Sequence, residues 1–173
     1  MSAPPELVAF HLGIVVRDLD ATIDRYRRMF GLDRWHVRDG TGARFAYGGR
    51  AGTGLAFELI QPVAGEPGQM SEFLAQRGEG VQHIGFWTPD LLGSLQAAVA
   101  EGGTLLPGGF EQRGNTVVQL DMPPDAHAFR RALAFVDPGV ATVRFELIGQ
   151  AAEEELRRWL GDDFEVLLAS PPW

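Results

Sequence analysis

The chain opens with a run of β-branched and apolar residues, "LVAFHLGIVV" (Leu7–Val16), and such a run predicts a buried strand. Polar positions then break in. Asp18 suits an N-cap, because its carboxylate can accept from the free amides of the turn that follows. Leu19, Ile23, Tyr26 and Phe30 recur at helical spacing and predict one apolar helix face, which Gly31 ends in a left-handed C-terminal position. Three short strands are expected next, in "DRWHVR", "ARFAYGG" and "TGLAFELIQP", separated by glycine-rich turns and closed by Pro62. Residues 7–62 thus read as strand, helix and three strands. Residues 63–80 read as a linker holding a short helix, with Met70, Phe73 and Leu74 on one side.

The alternation then starts again. "VQHIGFWT" predicts a strand, and Asp90 to about Gly102 a helix using Leu92, Leu95 and Val99. "GTLLPGGFEQ", "NTVVQLDM", "RALAFVDP" and "ATVRFELIG" supply strands after it, so that residues 81–149 repeat the first unit. The surplus length falls near 119–131, around "QLDMPPDAHAFRR", and reads as an insertion. Residues 150–173 hold a terminal helix, "AAEEELRRWLGDD", that would dock through Leu156, Trp159 and Leu160.

The repetition reaches individual residues. "HLGIVVRDLDATI" (His11–Ile23) aligns with "HIGFWTPDLLGSL" (His83–Leu95), matching His11 with His83, Gly13 with Gly85 and Asp18 with Asp90. "FELI" occurs at Phe57–Ile60 and again at Phe145–Ile148. Both halves begin alike and end alike, the mark of an internal duplication.

Composition narrows the chemistry. The 173 residues have no cysteine, which excludes disulfides, thiolate nucleophiles and cysteine-bound metals. All 15 basic residues are arginine, so lysine Schiff-base chemistry is excluded. A net charge of −8 argues against nucleic-acid binding, which needs phosphate-neutralising patches. No apolar run approaches the roughly 20 residues of a membrane helix, and the first residues lack the pattern of a signal peptide. The expectation is a cytoplasmic protein with no membrane or nucleic-acid partner.

Only four histidines exist, at positions 11, 36, 83 and 127, and two of them occupy matched repeat positions. Period-two alternation puts Glu58 on one strand face with Ala56 and Ile60, opposite Phe57 and Leu59; Glu146 likewise lies opposite Phe145 and Leu147. A solvent-facing strand glutamate is ordinary, but two in identical contexts, each with a histidine at the start of its own repeat, are not. Two imidazoles and two carboxylates suit one borderline divalent ion such as Zn, Ni, Co, Mn or Fe(II).

This arrangement resembles the vicinal oxygen chelate superfamily, whose members include glyoxalase I, methylmalonyl-CoA epimerase, extradiol dioxygenases and drug-resistance proteins. The resemblance spans residues 7–149. It implies an α+β fold in which two tandem βαβββ modules form a curved mixed sheet around one metal, with His11, Glu58, His83 and Glu146 on the ligand positions. "SEFLAQRGEGVQHIGF" (Ser71–Phe86) is similar to the epimerase linker, and "ALAFVDP" with "RFELI" to the closing strands of glyoxalase I and the epimerases. Two positions depart from the epimerases. Glu58 stands where they often have glutamine, and no acid lies between Asp39 and Glu58, so Phe45 or a neighbour takes the place of their strand-three glutamate.

The resemblance implies an isomerase or lyase moving a proton α to a carbonyl, with Glu146 as the preferred base and Glu58 as the second candidate. A small carbonyl or acyl-CoA substrate and a homodimer follow from it, with Arg38, Arg44 and Arg113 as candidates near the cleft mouth. An Fe(II) dioxygenase using His11, His83 and Glu146, a natural-product tailoring enzyme and a non-catalytic drug-binding protein are the alternatives on the same scaffold. His127, Asp121 and Asp125 in the insertion, and His36 beside Trp35, are expected to be surface residues.

Overall fold

The computed structural model describes residues 6–49, 55–121, 132–139, 143–161 and 164–165. The first unit runs β1 (Val8–Val15), α1 (Leu19–Phe30), β2 (Arg34–Gly40), β3 (Ala43–Gly49) and β4 (Ala56–Pro62). After α2 (Gln69–Arg77) the second runs β5 (Gly80–Thr88), α3 (Leu91–Ala100), β6 (Thr104–Leu105), β7 (Phe110–Arg113), β8 (Thr116–Gln119), β9 (Leu133–Asp137) and β10 (Arg144–Gly149). A 3-10 turn (Gln150–Ala152) leads into α4 (Glu153–Leu160).

Eight strands form one mixed sheet in the order β2-β3-β4-β1-β5-β10-β9-β6. Within each unit the first and last strands pair in parallel, β1 with β4 and β5 with β10. The units meet where β1 and β5 pair antiparallel at the centre of the sheet. That seam has two bulges: Phe10 is the extra residue on β1, and Gln82 the extra residue on β5. The strand segments after α3 do not all join this sheet. β7 and β8 form a separate hairpin closed at Gly114, whose φ of 61° lies in the left-handed region, and Phe110 and Val117 tuck the hairpin against α3. The expected insertion at 119–131 falls mostly on residues outside those described.

Helix boundaries follow the capping logic. The Asp18 carboxylate accepts from Ala21 N–H at 2.9 Å, Asp90 accepts from Gly93 N–H at 2.9 Å, and Gly31 ends α1 at φ 67°. On the outer sheet face, α1 buries Leu19 and Ile23 against Ala46 and Leu59, and α3 buries Leu95 and Val99 against Ala134, Val136 and Leu147. Two expected face residues differ. Phe30 is 58% exposed because it falls in the last turn, where its ring edge meets only that of Tyr26 among the described aromatic contacts. Leu92 is 44% exposed, and its neighbour Leu91 packs on the sheet instead.

The inner face carries Glu58 and Glu146. There α2 packs Met70, Phe73 and Leu74 against Val15, Ala43 and Ile60. On the same face α4 sets Leu156 and Leu160, with Phe164 after it, against Phe10, Tyr47, Ala56 and Ile148. Fully burying a leucine stabilises by about 1.5–3 kcal/mol, so Leu156, at 0% exposure, anchors the C-terminal helix over this face. The Trp159 side chain and Trp173 lie outside the described residues. No described helix is long and apolar enough to cross a membrane.

Candidate metal centre

His11 on β1 and His83 on β5 face each other across the central seam. The register pairs His11 with Gly85 and Gly13 with His83. Each glycine makes room for the other unit's imidazole: a Cβ on Gly13 would stand 1.9 Å from His83 Cε1, and one on Gly85 1.9 Å from His11 Cε1. The repeated His-x-Gly is therefore a reciprocal cradle. Neither unit can hold its own histidine without the glycine of the other.

Parallel pairing brings the carboxylates in from the flanks, since Gly13 pairs with Glu58 and Gly85 with Glu146. His11 Nε2 lies 2.9 Å from His83 Nε2. Glu146 Oε2 is 3.0 Å from His11 Nε2 and 3.4 Å from His83 Nε2, while Glu58 Oε2 is 3.5 Å and 3.1 Å from the same atoms. The four side chains are buried, at 0% to 5% exposure, and their donor atoms all lie within 4.8 Å of one another. Glu146 Oε2 is buried with no aligned hydrogen-bond donor among the described residues.

Such a group is costly to bury unpaired, because desolvating each charge costs several kcal/mol. Burial opposes charge on His83, yet Glu146 and Glu58 raise its pKa to about 9. His11 is also raised, against burial, by the same two carboxylates. Both glutamates are pulled below the ordinary carboxylate range, since the imidazoles outweigh desolvation. The alternative compensation is a cation. Nitrogen and oxygen ligands sit about 2.0–2.2 Å from a zinc-like ion, and donors at that radius stand about as far apart as these do. The donor set fits a divalent metal ion.

The layer behind these groups is unequal. Both bulged residues point inward beside a histidine. Gln82 Oε1 accepts from His83 Nδ1 at 2.6 Å, which leaves His83 Nε2 free to ligate. At the matching place Phe10 offers only a ring edge, 4.5 Å between centroids, and His11 Nδ1 has no partner among the described residues. The carboxylates reverse the pattern. Tyr47 on β3 pairs with Glu58 and stands beside its carboxylate, whereas Phe135 on β9 pairs with Glu146. Burial first, and then both carboxylates, hold the Tyr47 pKa well above the ordinary phenol range, so it stays a neutral donor.

All four expected ligand positions come together here. On β3 it is Tyr47 that stands beside the cluster, while Phe45 packs towards α2 under the Arg38 guanidinium at 4.7 Å. His36 and Asp121 are exposed, as expected, while Asp125 and His127 lie outside the described residues. Arg44 pairs with Asp20 at 3.0 Å and Arg113 with Glu111 at 2.7 Å, which engages two of the three arginines considered for the cleft mouth. Gln82 and Tyr47 escaped the sequence reading. A bulge breaks strict alternation, and a lone tyrosine in a strand carries no signal of its partner.

The sequence pattern of the glyoxalase/bleomycin resistance protein/dioxygenase superfamily matches residues 10–119. Among solved structures, methylmalonyl-CoA epimerase from Mycobacterium tuberculosis superposes with a TM-score of 0.67 at 23% identity, over 90% of this chain and 96% of that one. A variant of the Streptomyces coelicolor epimerase in complex with 2-nitronate-propionyl-CoA gives 0.63 at 25%, over 84% and 98%. A methylmalonyl-CoA epimerase holding methylmalonyl-CoA and an ammonium ion gives 0.62 at 27%, over 87% and 97%. No curated protein sequence matches significantly. The chain belongs to the glyoxalase/bleomycin resistance protein/dioxygenase superfamily.

Proposed function

We propose that this superfamily member is a metal-dependent isomerase or lyase that moves a proton on the carbon α to a carbonyl, with an acyl-CoA thioester or a comparable small carbonyl compound as substrate. His11, Glu58, His83 and Glu146 would hold the ion. When bound, it supplies Lewis-acid stabilisation of the negative charge that develops on a carbonyl oxygen. Near-complete burial of the four groups keeps bulk water away and strengthens electrostatic stabilisation within the site.

The observation that carries the reading is the unequal treatment of two carboxylates in one buried cluster. Glu58 has the polar Tyr47 side chain opposite it in the strand pair. Glu146 faces Phe135 across the strand pair and has an oxygen with no aligned donor among the described residues. A base has to turn towards the carbon it deprotonates, and Glu146 is the less restrained of the two. Tyr47 on β3 stays a neutral phenol, so it can donate a hydrogen bond but cannot serve as a second base. Proton transfer therefore runs through a ligand carboxylate, in the glyoxalase I manner of one base serving both removal and return.

The test is deuterium uptake from D2O at the α carbon of propionyl-CoA, methylmalonyl-CoA and hemithioacetals, using metal-loaded protein. Exchange that falls by about a hundredfold or more in Glu146→Gln, the scale of general-base catalysis, supports the reading. Absence of exchange with all three classes, or exchange undiminished in Glu146→Gln, refutes it.

A further inference from the structure

The four buried groups lie beneath the junction of two helices. On β4 the inward residues are Ala56, Glu58 and Ile60. Ala56 packs with Leu156, Leu160 and Phe164 on the α4 side, and Ile60 with Met70, Phe73 and Leu74 of α2. On β1, Phe10 packs on the α4 side and Val15 on the α2 side, with His11 between them. On β10, Ile148 packs on the α4 side and Arg144 donates to Gln69 of α2 at 3.0 Å, with Glu146 between them. Under these two covers the four groups are 0% to 5% exposed. An ion that they hold, and any carbonyl compound that meets it, needs a way in.

The covers are fastened differently. α2 joins β4 to β5, so strands hold it at both ends. It is also tied at its start by the Gln69–Arg144 bond, and just past its end the Arg17 N–H donates to Glu79 Oε1 at 2.7 Å. α4 leaves β10 through one 3-10 turn, and no described strand follows it. Its ion pairs Arg157–Glu153, at 2.7 Å, and Arg158–Glu154, at 3.1 Å, run along the helix itself. Arg157 also pairs with Glu165 and lies 4.7 Å over the Phe164 ring. Helix and following residues thus carry these polar contacts with them. To the sheet they present Leu156, Leu160 and Phe164. Directly beneath, Phe10 and Tyr47 meet the His11 ring at 4.5 Å and 5.7 Å between centroids. Lifting α4 therefore uncovers the histidine side of the cluster and breaks no strand pairing.

We propose that α4 is the lid of the buried cluster. It undocks from the inner face to admit the ion and the substrate, and closes by returning Leu156, Leu160 and Phe164 to the sheet. The lid rests on the metal-centre reading and not on the reaction assigned to it.

Stopped-flow mixing of the metal-free full chain with excess Co(II), followed by absorbance of the bound ion, reads access. At one Co(II) concentration Leu156→Ala should take up the ion at least about tenfold faster, because truncating a buried leucine costs more than the increment that corresponds to tenfold. Leu95→Ala removes an equally buried leucine from α3, on the outer face, and should leave the rate unchanged. An unchanged rate in Leu156→Ala, an equal gain in Leu95→Ala, or a larger gain in Phe73→Ala on α2 would overturn the proposal. Should Leu156→Ala fail to fold, Leu160→Ala takes its place.

Deuterium exchange at histidine Cε1–H, read by mass spectrometry on the metal-free chain, needs no ion. His11 and His83 should exchange more slowly than the exposed His36, and Leu156→Ala should speed both by at least about tenfold. Exchange of His11 as fast as that of His36, or exchange unmoved by Leu156→Ala, would overturn the lid. A chain that takes up no Co(II) would refute the metal centre, and histidine exchange would then decide on the lid alone.

Discussion

The two halves of the sheet offer the same four roles to the centre and support them differently. In the first, Glu58 has the polar Tyr47 beside it, and His11 is left with an aromatic contact and an Nδ1 that has no partner among the described residues. In the second, His83 is held by Gln82 and Glu146 is left beside Phe135. One polar support exists per half, on opposite ligand types. A duplicated unit that began symmetric would treat both carboxylates alike. The divergence yields one fixed carboxylate and one less restrained, and one imidazole of set tautomer beside one that is only packed. On this account the difference separates a structural ligand from a reacting one.

Breaking what the halves share should have the largest effect. Gly13→Ala and Gly85→Ala each drive a Cβ into the opposite imidazole at 1.9 Å, so each should abolish metal uptake. Overpacking of this kind also costs about 1–3 kcal/mol of stability. Metal content and a thermal melt would read the two effects, and retention of full metal content by either variant would show that the cradle is not required.

Exchanging the carboxylates comes next. Glu146→Gln should suppress α-proton exchange by at least about a hundredfold, whereas Glu58→Gln should act mainly through metal affinity. Rates measured at saturating metal distinguish the two. A larger loss of rate from Glu58→Gln would reverse the assignment of the base.

The protonation of the cluster gives a related expectation. Without metal, burial disfavours charge on His83, but the two carboxylates lift its pKa to about 9 from 6.5. Its stabilising contribution is complete below the ordinary histidine range and is lost as pH rises through 9. Metal-free protein should therefore lose stability between pH 6.5 and 9. Metal affinity should climb over the same window, with protons released as the ion binds at pH 7. Calorimetry in buffers of different ionisation enthalpy counts those protons, and a count near zero would contradict this electrostatic picture.

Removing one polar support should do less. Gln82→Leu should weaken metal binding by about 10–100-fold, the usual scale for the partner of a ligating histidine. Phe10→Leu, at the equivalent bulge, should cost stability and leave metal affinity within a few fold. Tyr47→Phe makes the first half resemble the second and should lower metal affinity only a few fold. Competition with a metal-binding dye ranks all three, and equal losses from Gln82→Leu and Phe10→Leu would erase the distinction between the halves.

The legible parts of the molecule were those that repeat or alternate. Glu58 and Glu146 were readable as inward residues because β4 and β10 keep strict period-two alternation, and the doubled FELI placed them in equivalent strands. His11 and His83 stood out as scarce residues at matched positions. The matched glycines were visible as well, but their role was not. It depends on the antiparallel register between β1 and β5, a contact between residues 72 positions apart. Phe30 and Leu92 were misplaced because helical periodicity identifies a face without saying where the sheet beneath it ends. Gln82 was hidden by its bulge, since the extra residue turns two consecutive side chains inward. The β7–β8 hairpin left the main sheet because Phe110 and Val117 found their burial against α3, and strand propensity alone cannot say which edge a strand will choose.

The central claim is that the four buried groups are one metal centre built by both halves. The most direct measurement is metal content by mass spectrometry on protein purified without chelators or a histidine tag, beside His11→Ala, His83→Ala and Gly85→Ala variants. The account predicts about one transition ion per chain, as a single closed donor set requires, lost in every variant including the one that removes no ligand. A chain that takes up no ion even when offered Co, Ni, Mn, Zn and Fe(II), or a Gly85→Ala variant that binds like the parent, would contradict it.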